Sequence, residues 1–359
     1  MMLPTTYVMA MALTILTMIC WGSWANTMKL APKWRFELYY FDYTFGLILA
    51  AVVAAFTFGS SDTVVVDSAT PSFTFVDNLS IASKRQMAMA MAGGAVFNLA
   101  NLLLVAAIAV AGLAVAFPIG IGLALIMGVV LNYIIKPAGN PAFLFGGSFL
   151  VLIAIVLSAL AHAAHTAASS RTKQAGAPSG VRIVGKPQAR AASPLKGIFL
   201  SLGCGILMGT FYPLVEMSKR GDIGLGPYTA AFMFAFGVLV TTPVYNLFFM
   251  NLPVQGDPVS FRDYFSGTTK MHLLGLAGGI IWMTGTVANF VAASAPERVN
   301  VGPAVSYAIG QGATLVSALW GLLVWKEFAG AEGKVRIYIM LMLAFFVGGL
   351  ALVSIAPLR

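Results

Sequence analysis

Charged side chains are scarce in this sequence. The 359 residues include 21 Lys and Arg and 12 Asp and Glu, which together make up 9% of the chain. A soluble domain carries about 25% charged residues, so these charges could not cover the surface of a soluble protein of this length. The composition excludes a soluble globular enzyme and a disordered protein. The net charge of +9 does not indicate nucleic-acid binding, because basic groups on so apolar a chain face lipid headgroups.

Metal-binding and nucleophilic residues are also few. The two cysteines, Cys20 and Cys204, both lie inside apolar runs and predict neither a disulfide framework nor a zinc site. His162 and His165 are three residues apart, but no third ligand lies near them in the sequence. No nucleophile and base stand at a catalytic spacing. We therefore expect no metal, no cofactor and no enzymatic activity.

Apolar residues make up 59% of the chain and fall into long runs. About 20 mostly apolar residues span a bilayer, and such runs form helices there because lipid offers no partners for backbone N–H and C=O groups. The sequence therefore predicts an all-α polytopic membrane protein with ten transmembrane helices. We place them at residues 5–28, 39–59, 86–110, 113–133, 142–163, 196–217, 227–250, 271–294, 299–325 and 335–356.

The longest polar stretch divides these spans into two groups of five. Residues 164–195 are rich in Ala, Ser, Gly and Pro and carry basic residues but no acid, a composition typical of a flexible linker. We expect one repeat at 1–163 and a second at 196–359. Within the linker, Gly180–Pro187 has the spacing of a P-loop, but Pro187 stands where Ser or Thr would bind Mg²⁺. The segment therefore does not predict ATP binding.

The two groups of spans resemble each other. Ala92–Gly94 in the third span matches Ala277–Gly279 in the eighth, and the same offset carries Pro118 onto Pro303. Because five is odd, two such repeats cross the membrane in opposite directions, which is the usual architecture of a secondary transporter. More Lys and Arg accompany the linker side of the spans, so the positive-inside rule predicts a cytoplasmic linker.

Four segments resemble the ureide permease family. Cys20–Trp24 is similar to the Gly-Thr-Trp motif of its first span, Tyr40–Gly59 to its second span and Ala88–Leu102 to its third. Trp320–Phe328 resembles the end of its ninth span. The family usually has Pro after the first-span Trp, where this chain has Ala25.

This resemblance implies a fold and a function. The family belongs to the drug/metabolite transporter superfamily, beside the glucose/ribose porters, and implies a ten-helix fold built from an inverted five-helix repeat. It also implies uptake of small polar nitrogenous solutes such as allantoin or nucleobases, coupled to protons.

Uncharged polar and aromatic residues of five spans form the candidate solute site. A planar, uncharged solute with amide edges binds well between aromatic faces, where Asn and Gln pair with its donors and acceptors. The alternative is that each polar side chain only joins two helices. The candidates are Trp21, Trp24, Asn26, Asn98, Asn101, Phe211, Tyr212, Trp282, Asn289, Tyr307 and Gln311.

Two acids within or at the rim of spans are the candidates for proton coupling. An ionisable group in a span is costly, and a buried carboxyl group can carry a proton. We prefer Glu216 and take Asp42 as the alternative. Lys219 follows Glu216 closely and could pair with it, and the tyrosines beside Asp42 fit an interfacial belt instead.

The sequence as a whole predicts a secondary transporter in the plasma (inner) membrane. Its partners would be a small polar uncharged solute, protons and the lipid bilayer, with no nucleic acid. A sugar porter of the same fold is one alternative, since sugars also stack on Trp and pair with Asn. A membrane receptor or regulatory subunit without transport is the other, and the repeat disfavours it because alternating access exploits that symmetry.

Overall fold

The computed structural model describes residues 1–61, 73–111, 113–175, 194–221, 223–253, 257–299, 301–326, 328–331 and 333–358. Most of the predicted linker, including Gly180–Pro187, lies outside the described residues. Where the chain is described, it forms helices and no strand. The helices are α1 (Tyr7–Ser23), α2 (Asn26–Lys29), α3 (Phe36–Phe56), α4 (Phe75–Ile81), α5 (Lys84–Ala111), α6 (Leu113–Ile135), α7 (Pro141–Ala175), α8 (Pro194–Ser218), α9 (Pro227–Asn251), α10 (Phe261–Tyr264), α11 (Thr269–Ala293), α12 (Pro303–Gly310), α13 (Ala313–Leu319) and α14 (Lys334–Ile355).

Local chemistry sets several helix starts. The side chains of Thr6, Thr74 and Thr268 each accept a hydrogen bond from a backbone N–H in the first turn that follows, which satisfies a donor that has no partner within the helix. Pro227 and Pro303 open α9 and α12, where a missing N–H costs nothing. The predicted first, seventh, eighth and ninth spans therefore begin within a few residues of α1, α9, α11 and α12.

Nine helical segments in the described part of the chain are long and apolar enough to cross a membrane. Within α6, the apolar helix Ile119–Ile135 is shorter than these nine. The protein is thus an all-α integral membrane protein, as predicted. A tenth span, at the predicted fourth position, stays a prediction.

Two predicted spans differ in detail from the helices. The fifth continues as α7 to Ala175, well past its predicted end at 163. The ninth is interrupted, because α12 ends at Gly310, Gln311 and Gly312 form a turn, and α13 is followed by the π-helical turn Trp320–Val324. Apolar composition gives no signal for such an interruption, since both pieces remain hydrophobic.

Helix contacts join the two halves of the chain extensively. Helix α5 packs against α8 and α9, while α11 packs against α1 and α3. Helix α6 packs against α8 and α12, α1 packs against α12 and α13, and α7 packs against α14. The buried apolar cluster accordingly takes residues from both halves.

The ends of the bundle are defined by a few hydrogen bonds. Tyr7 Oη donates to the Ser354 carbonyl at 2.6 Å, and Tyr228 Oη donates to the Met2 carbonyl at 2.9 Å. The start of α1, the start of α9 and the end of α14 therefore share one end, called here the terminal face. The opposite end, where α7 ends and α8 begins, is called the linker face.

Four glycines allow the closest helix approaches. Gly46 and Gly279 lie between α3 and α11, and Gly94 and Gly237 lie between α5 and α9. At each position an added Cβ would meet backbone atoms of the facing helix. Helices in lipid associate through such backbone proximity, because there is little hydrophobic effect between apolar surfaces there.

We expect Gly94→Ala to lower the free energy of unfolding by about 1–3 kcal/mol, the usual cost of overpacking a close contact. The added methyl would collide with the Phe234 backbone of α9. Gly146→Ala is the matched control, since a Cβ at Gly146 in α7 has open space around it. Thermal unfolding in detergent measures both, and equal losses would contradict a close α5–α9 contact.

Candidate functional site

A cluster of aromatic rings, called here the aromatic centre, lies midway along α5 and α11. The Trp282 ring stacks on Trp21, with centroids 5.7 Å apart, and on Phe97, with centroids 4.3 Å apart. Phe234 of α9 stacks on the same indole at 5.9 Å. Phe211 of α8 contacts Phe97 at 5.4 Å, edge to face. Helices α1, α5, α8 and α9 thus each place an aromatic ring against Trp282 or against a ring that contacts Trp282.

Two tyrosines extend the aromatic centre towards the terminal face. The rings of Tyr212 and Tyr307 are 5.3 Å apart, and Phe290 contacts Tyr212 at 5.6 Å. Tyr307 Oη points at the carbonyls of Ala124 and Met208, at 3.2 and 3.3 Å. Helix α12 is therefore tied to both α6 and α8 at this level.

The structure brings together five residues of the predicted solute site in the aromatic centre. Three aromatic residues of the cluster escaped the sequence analysis: Phe97, Phe234 and Phe290. A signal for Phe97 existed, because the repeat offset that pairs Gly94 with Gly279 also pairs Phe97 with Trp282. The five predicted residues are Trp21, Phe211, Tyr212, Trp282 and Tyr307.

Asn289 and Gln311 lie beside this cluster on α11 and at the α12–α13 turn. Asn289 Nδ2 donates to the Ser306 carbonyl at 3.1 Å, and a Cβ at Gly310 would contact both the Trp21 ring and the Asn289 amide. Asn289 Oδ1 is buried and has no hydrogen-bond partner among the described residues. A buried acceptor left in this way costs about 1–3 kcal/mol, which a ligand N–H would offset.

The other four predicted solute residues contact side chains that lie outside the aromatic centre. The Trp24 ring packs on Tyr43, with centroids 5.0 Å apart. Asn101 Nδ2 donates to Tyr40 Oη at 3.4 Å, and Asn26 Oδ1 accepts from the indole N–H of Trp325 at 2.6 Å on the linker face.

Asn98 joins α5 to α9. Its Nδ2 lies 2.9 Å from Thr241 Oγ1 and 3.1 Å from Thr242 Oγ1, and Thr242 in turn contacts Thr44 of α3. Asn98 Oδ1 is another buried acceptor without a partner in the described part of the chain. These bonds match the alternative reading, in which polar side chains connect helices.

Glu216 forms an ion pair with Lys219 at the terminal face. Lys219 Nζ also donates to Ser294 Oγ at 3.1 Å and lies 5.7 Å from the centroid of the Phe290 ring. Burial lowers the pKa of Lys219, and the carboxylate of Glu216 opposes that effect. The pair lines a cavity of 390 Å³ that also includes Lys136.

Asp42 lies at the opposite end of the bundle and is 5% exposed. Tyr264 Oη donates to Asp42 Oδ1 at 2.6 Å, and His272 Nδ1 lies 2.9 Å from Asp42 Oδ2. Burial, followed by the hydrogen bond to Asp42, raises the pKa of Tyr264. Sequence reasoning missed His272, because its distance from Asp42 along the chain gives no signal of contact.

Comparisons with known proteins agree with the family resemblance. The profile of the family described as ureide permease matches residues 39–182. Ureide permease 2 of Arabidopsis thaliana is 25% identical over 398 residues, covering 95% of this chain and 95% of the relative. Ureide permease 1 of the same plant is 26% identical over 394 residues, with the same two coverages.

A solved structure is similar to the whole bundle. It is described as the crystal structure of a protein, and it covers 96% of this chain and 95% of its own at a TM-score of 0.57. The sequence identity of 16% supports a similarity of fold alone. The sequence relatives show that this chain is similar to ureide permeases, which are transporters and not enzymes.

We expect Lys219→Met to destabilise the protein by about 3–5 kcal/mol, because it leaves the buried Glu216 carboxylate without its counter-charge. The double variant Glu216→Gln/Lys219→Met should regain most of this loss. Thermal unfolding in detergent compares the three proteins. A double variant as unstable as Lys219→Met would contradict the pairing.

Proposed function

We propose that this protein is a permease that moves a small polar uncharged solute, a ureide or a nucleobase, across the plasma membrane by alternating access. The observation that carries the proposal is its similarity to ureide permeases over 95% of both chains. The plasma membrane is the usual location of such transporters. The aromatic centre supplies the place at which such a solute would bind.

The pattern of helix contacts supports an inverted repeat. Exchanging the first five spans with the last five turns the α5–α8 contact into α11–α1, and the α5–α9 contact into α11–α3. The close glycines follow the same exchange, since Gly94 and Gly237 in one pair correspond to Gly279 and Gly46 in the other. Two such halves can rock about a central site so that it opens to either side in turn.

The chemistry of the aromatic centre supports a nitrogenous solute. Ureides and nucleobases combine flat faces, which stack on rings such as Trp282, with N–H groups. The unpartnered Oδ1 atom of Asn289 is an acceptor that such an N–H group would satisfy. We assign direct solute contact to Trp21, Phe211, Tyr212, Trp282, Asn289, Tyr307 and Gln311. We assign a supporting role, in which side chains hold the helices around the aromatic centre, to Trp24, Asn26, Asn98 and Asn101.

A sugar porter remains the second candidate. The stack on Trp282 would also accept a sugar ring, and sugar hydroxyls also donate to Asn oxygens. Uptake of labelled allantoin, uracil and glucose into proteoliposomes separates the two. Accumulation of labelled glucose but of neither allantoin nor uracil would favour the sugar porter, and binding without accumulation would favour a receptor.

Replacing Trp282 with Ala should weaken allantoin binding up to about tenfold, since lost aromatic stacking removes about 0.5–1.5 kcal/mol. Trp282→Phe should retain most of the affinity. Trp24→Ala should have a smaller effect, because that ring packs on Tyr43. Equilibrium binding to purified protein measures all three.

Trp320→Ala is the matched control for this series, because Trp320 lies far along the ninth span and is 36% exposed. Its affinity for allantoin should equal that of the wild type. An unchanged affinity in Trp282→Ala would remove this residue from the proposed site.

Proton coupling belongs to the same proposal, with Glu216 and Asp42 as the candidate carriers. Uptake should then follow an imposed pH gradient and collapse when a protonophore is added. Replacing the proton-carrying carboxyl group by an amide, as in Glu216→Gln or Asp42→Asn, should abolish gradient-driven accumulation of the solute. The same variant should still exchange labelled for unlabelled solute. If both variants still concentrate allantoin, neither carboxyl group carries the proton.

A further inference from the structure

A carboxylate and an imidazole meet at the linker face, away from the aromatic centre. Asp42 projects from the second turn of α3 and His272 from the first turn of α11. His272 Nδ1 lies 3.0 Å from Asp42 Oδ1 and 2.9 Å from Oδ2, so one ring nitrogen faces both oxygens. Gly275, one turn after His272, lacks a side chain where Asp42 Cβ lies, which lets the two helices come this close.

We infer that Asp42 and His272 together form the proton-binding site of the transport cycle, with Tyr264 as the residue that positions the carboxylate. The inference rests on the proposed function and adds His272 to its coupling machinery. In the proton step, a water-borne proton forms an N–H bond on the neutral imidazole, and the resulting imidazolium faces the Asp42 carboxylate. Release reverses this step, and no oxidation or reduction is involved.

The two side chains of the pair differ in their exposure to water, as a site that takes up protons from water requires. The Asp42 side chain is 7% exposed, whereas the His272 side chain is 27% exposed. The imidazole can therefore exchange protons with water, while the carboxylate behind it supplies a fixed counter-charge. A buried carboxylate without such a partner is costly, so the proton stabilises the closed contact between α3 and α11.

Aromatic rings hold the imidazole in place. The Tyr264 ring meets His272 edge to face with centroids 4.7 Å apart, and Trp34 does so at 5.2 Å. The short helix α10 carries Tyr264, and Tyr264 Oη donates to Asp42 at 2.6 Å. The site is thus built from α3, α10, α11 and the segment before α3.

Other charged and titratable groups near the pair are engaged elsewhere or exposed. Arg35 and Glu37, at the start of α3, bind each other at 2.7 Å, and Tyr39 Oη shares a hydrogen bond with Thr27 of α2. Helix α9 faces α3 with the uncharged Thr242 and Asn246. The remaining groups from these elements are the buried Tyr40 and Tyr43 on α3, Lys29 of α2 lying over Trp325, and the exposed Arg262, Asp263 and Lys270.

Glu216 is less suited to this role in the described state. Its carboxylate is already paired with Lys219, which follows it at the same helix end. A proton arriving there would have to break that pair. The Asp42–His272 pair, in contrast, gains its counter-charge only when the proton binds.

The first test needs no solute. The chain has three histidines, so ¹⁵N NMR of histidine-labelled protein gives signals from three imidazole rings, and His272→Gln assigns those of one ring. The His272 signals should report the gain and loss of a proton as the pH of the sample is changed, and Asp42→Asn should alter this response. His272 signals that do not respond to pH, or that ignore Asp42→Asn, overturn the inference.

The second test follows transport in proteoliposomes with labelled allantoin. His272→Gln should lose accumulation driven by a pH gradient, at least tenfold, and should keep exchange of labelled for unlabelled solute. His162→Gln and His165→Gln are the matched controls and should accumulate solute like the wild type. A wild type that moves neither allantoin nor uracil defeats the proposed function, whereas a His272→Gln variant that still follows the pH gradient defeats only this inference.

A direct proton measurement distinguishes proton binding by His272 from a purely structural role. When allantoin is added to purified wild-type protein in weak buffer, a pH-indicator dye should report that the protein takes up or releases protons. Tyr264→Phe, which removes one hydrogen bond and keeps the ring, should retain this signal with a shifted pH profile. His272→Gln should abolish it, and an unchanged signal in that folded variant overturns the inference.

Discussion

The lack of hydrogen-bond partners in lipid governs this structure. Backbone groups must bond within each helix, and polar side chains must find partners inside the bundle. The chain meets this constraint by placing its polar side chains in contacts between helices, as Asn98 does between α5 and α9 and Tyr307 does between α12 and its neighbours. It also keeps its two rim carboxylates paired, Glu216 with Lys219 and Asp42 with His272. The interior that results is polar in a few defined places and aromatic between them.

This arrangement gives the two ends of the bundle different electrostatic characters. At the terminal face the buried acid meets the amine of a lysine. At the linker face the buried acid meets the imidazole of a histidine. The aromatic centre lies between these two ends and contains rings from both halves of the chain.

Much of the fold could be predicted from the sequence, because a membrane span has a strong local signal. The helices α3, α8 and α9 lie close to the predicted runs, since about 20 apolar residues in succession indicate a membrane-spanning helix. The aromatic centre was partly predictable, because the offset that pairs Gly94 with Gly279 also pairs Phe97 with Trp282. The pairing of Asp42 with His272 was not, since 230 residues separate them and only the packing of α3 on α11 brings them together. The interruption at Gln311 also escaped prediction, because a turn between two apolar helices leaves the hydropathy unchanged.

That interruption has a mechanical consequence. Bending a continuous helix in lipid breaks backbone hydrogen bonds that nothing nearby replaces. The ninth span already changes from α12 to α13 through the Gln311–Gly312 turn, and it widens again into a π-helical turn at Trp320–Val324. It therefore consists of short helical segments that meet at two changes of helix geometry. The first of these lies beside Trp21 and Asn289, so a ligand bound in the aromatic centre would contact the span next to a break in its regular hydrogen bonding.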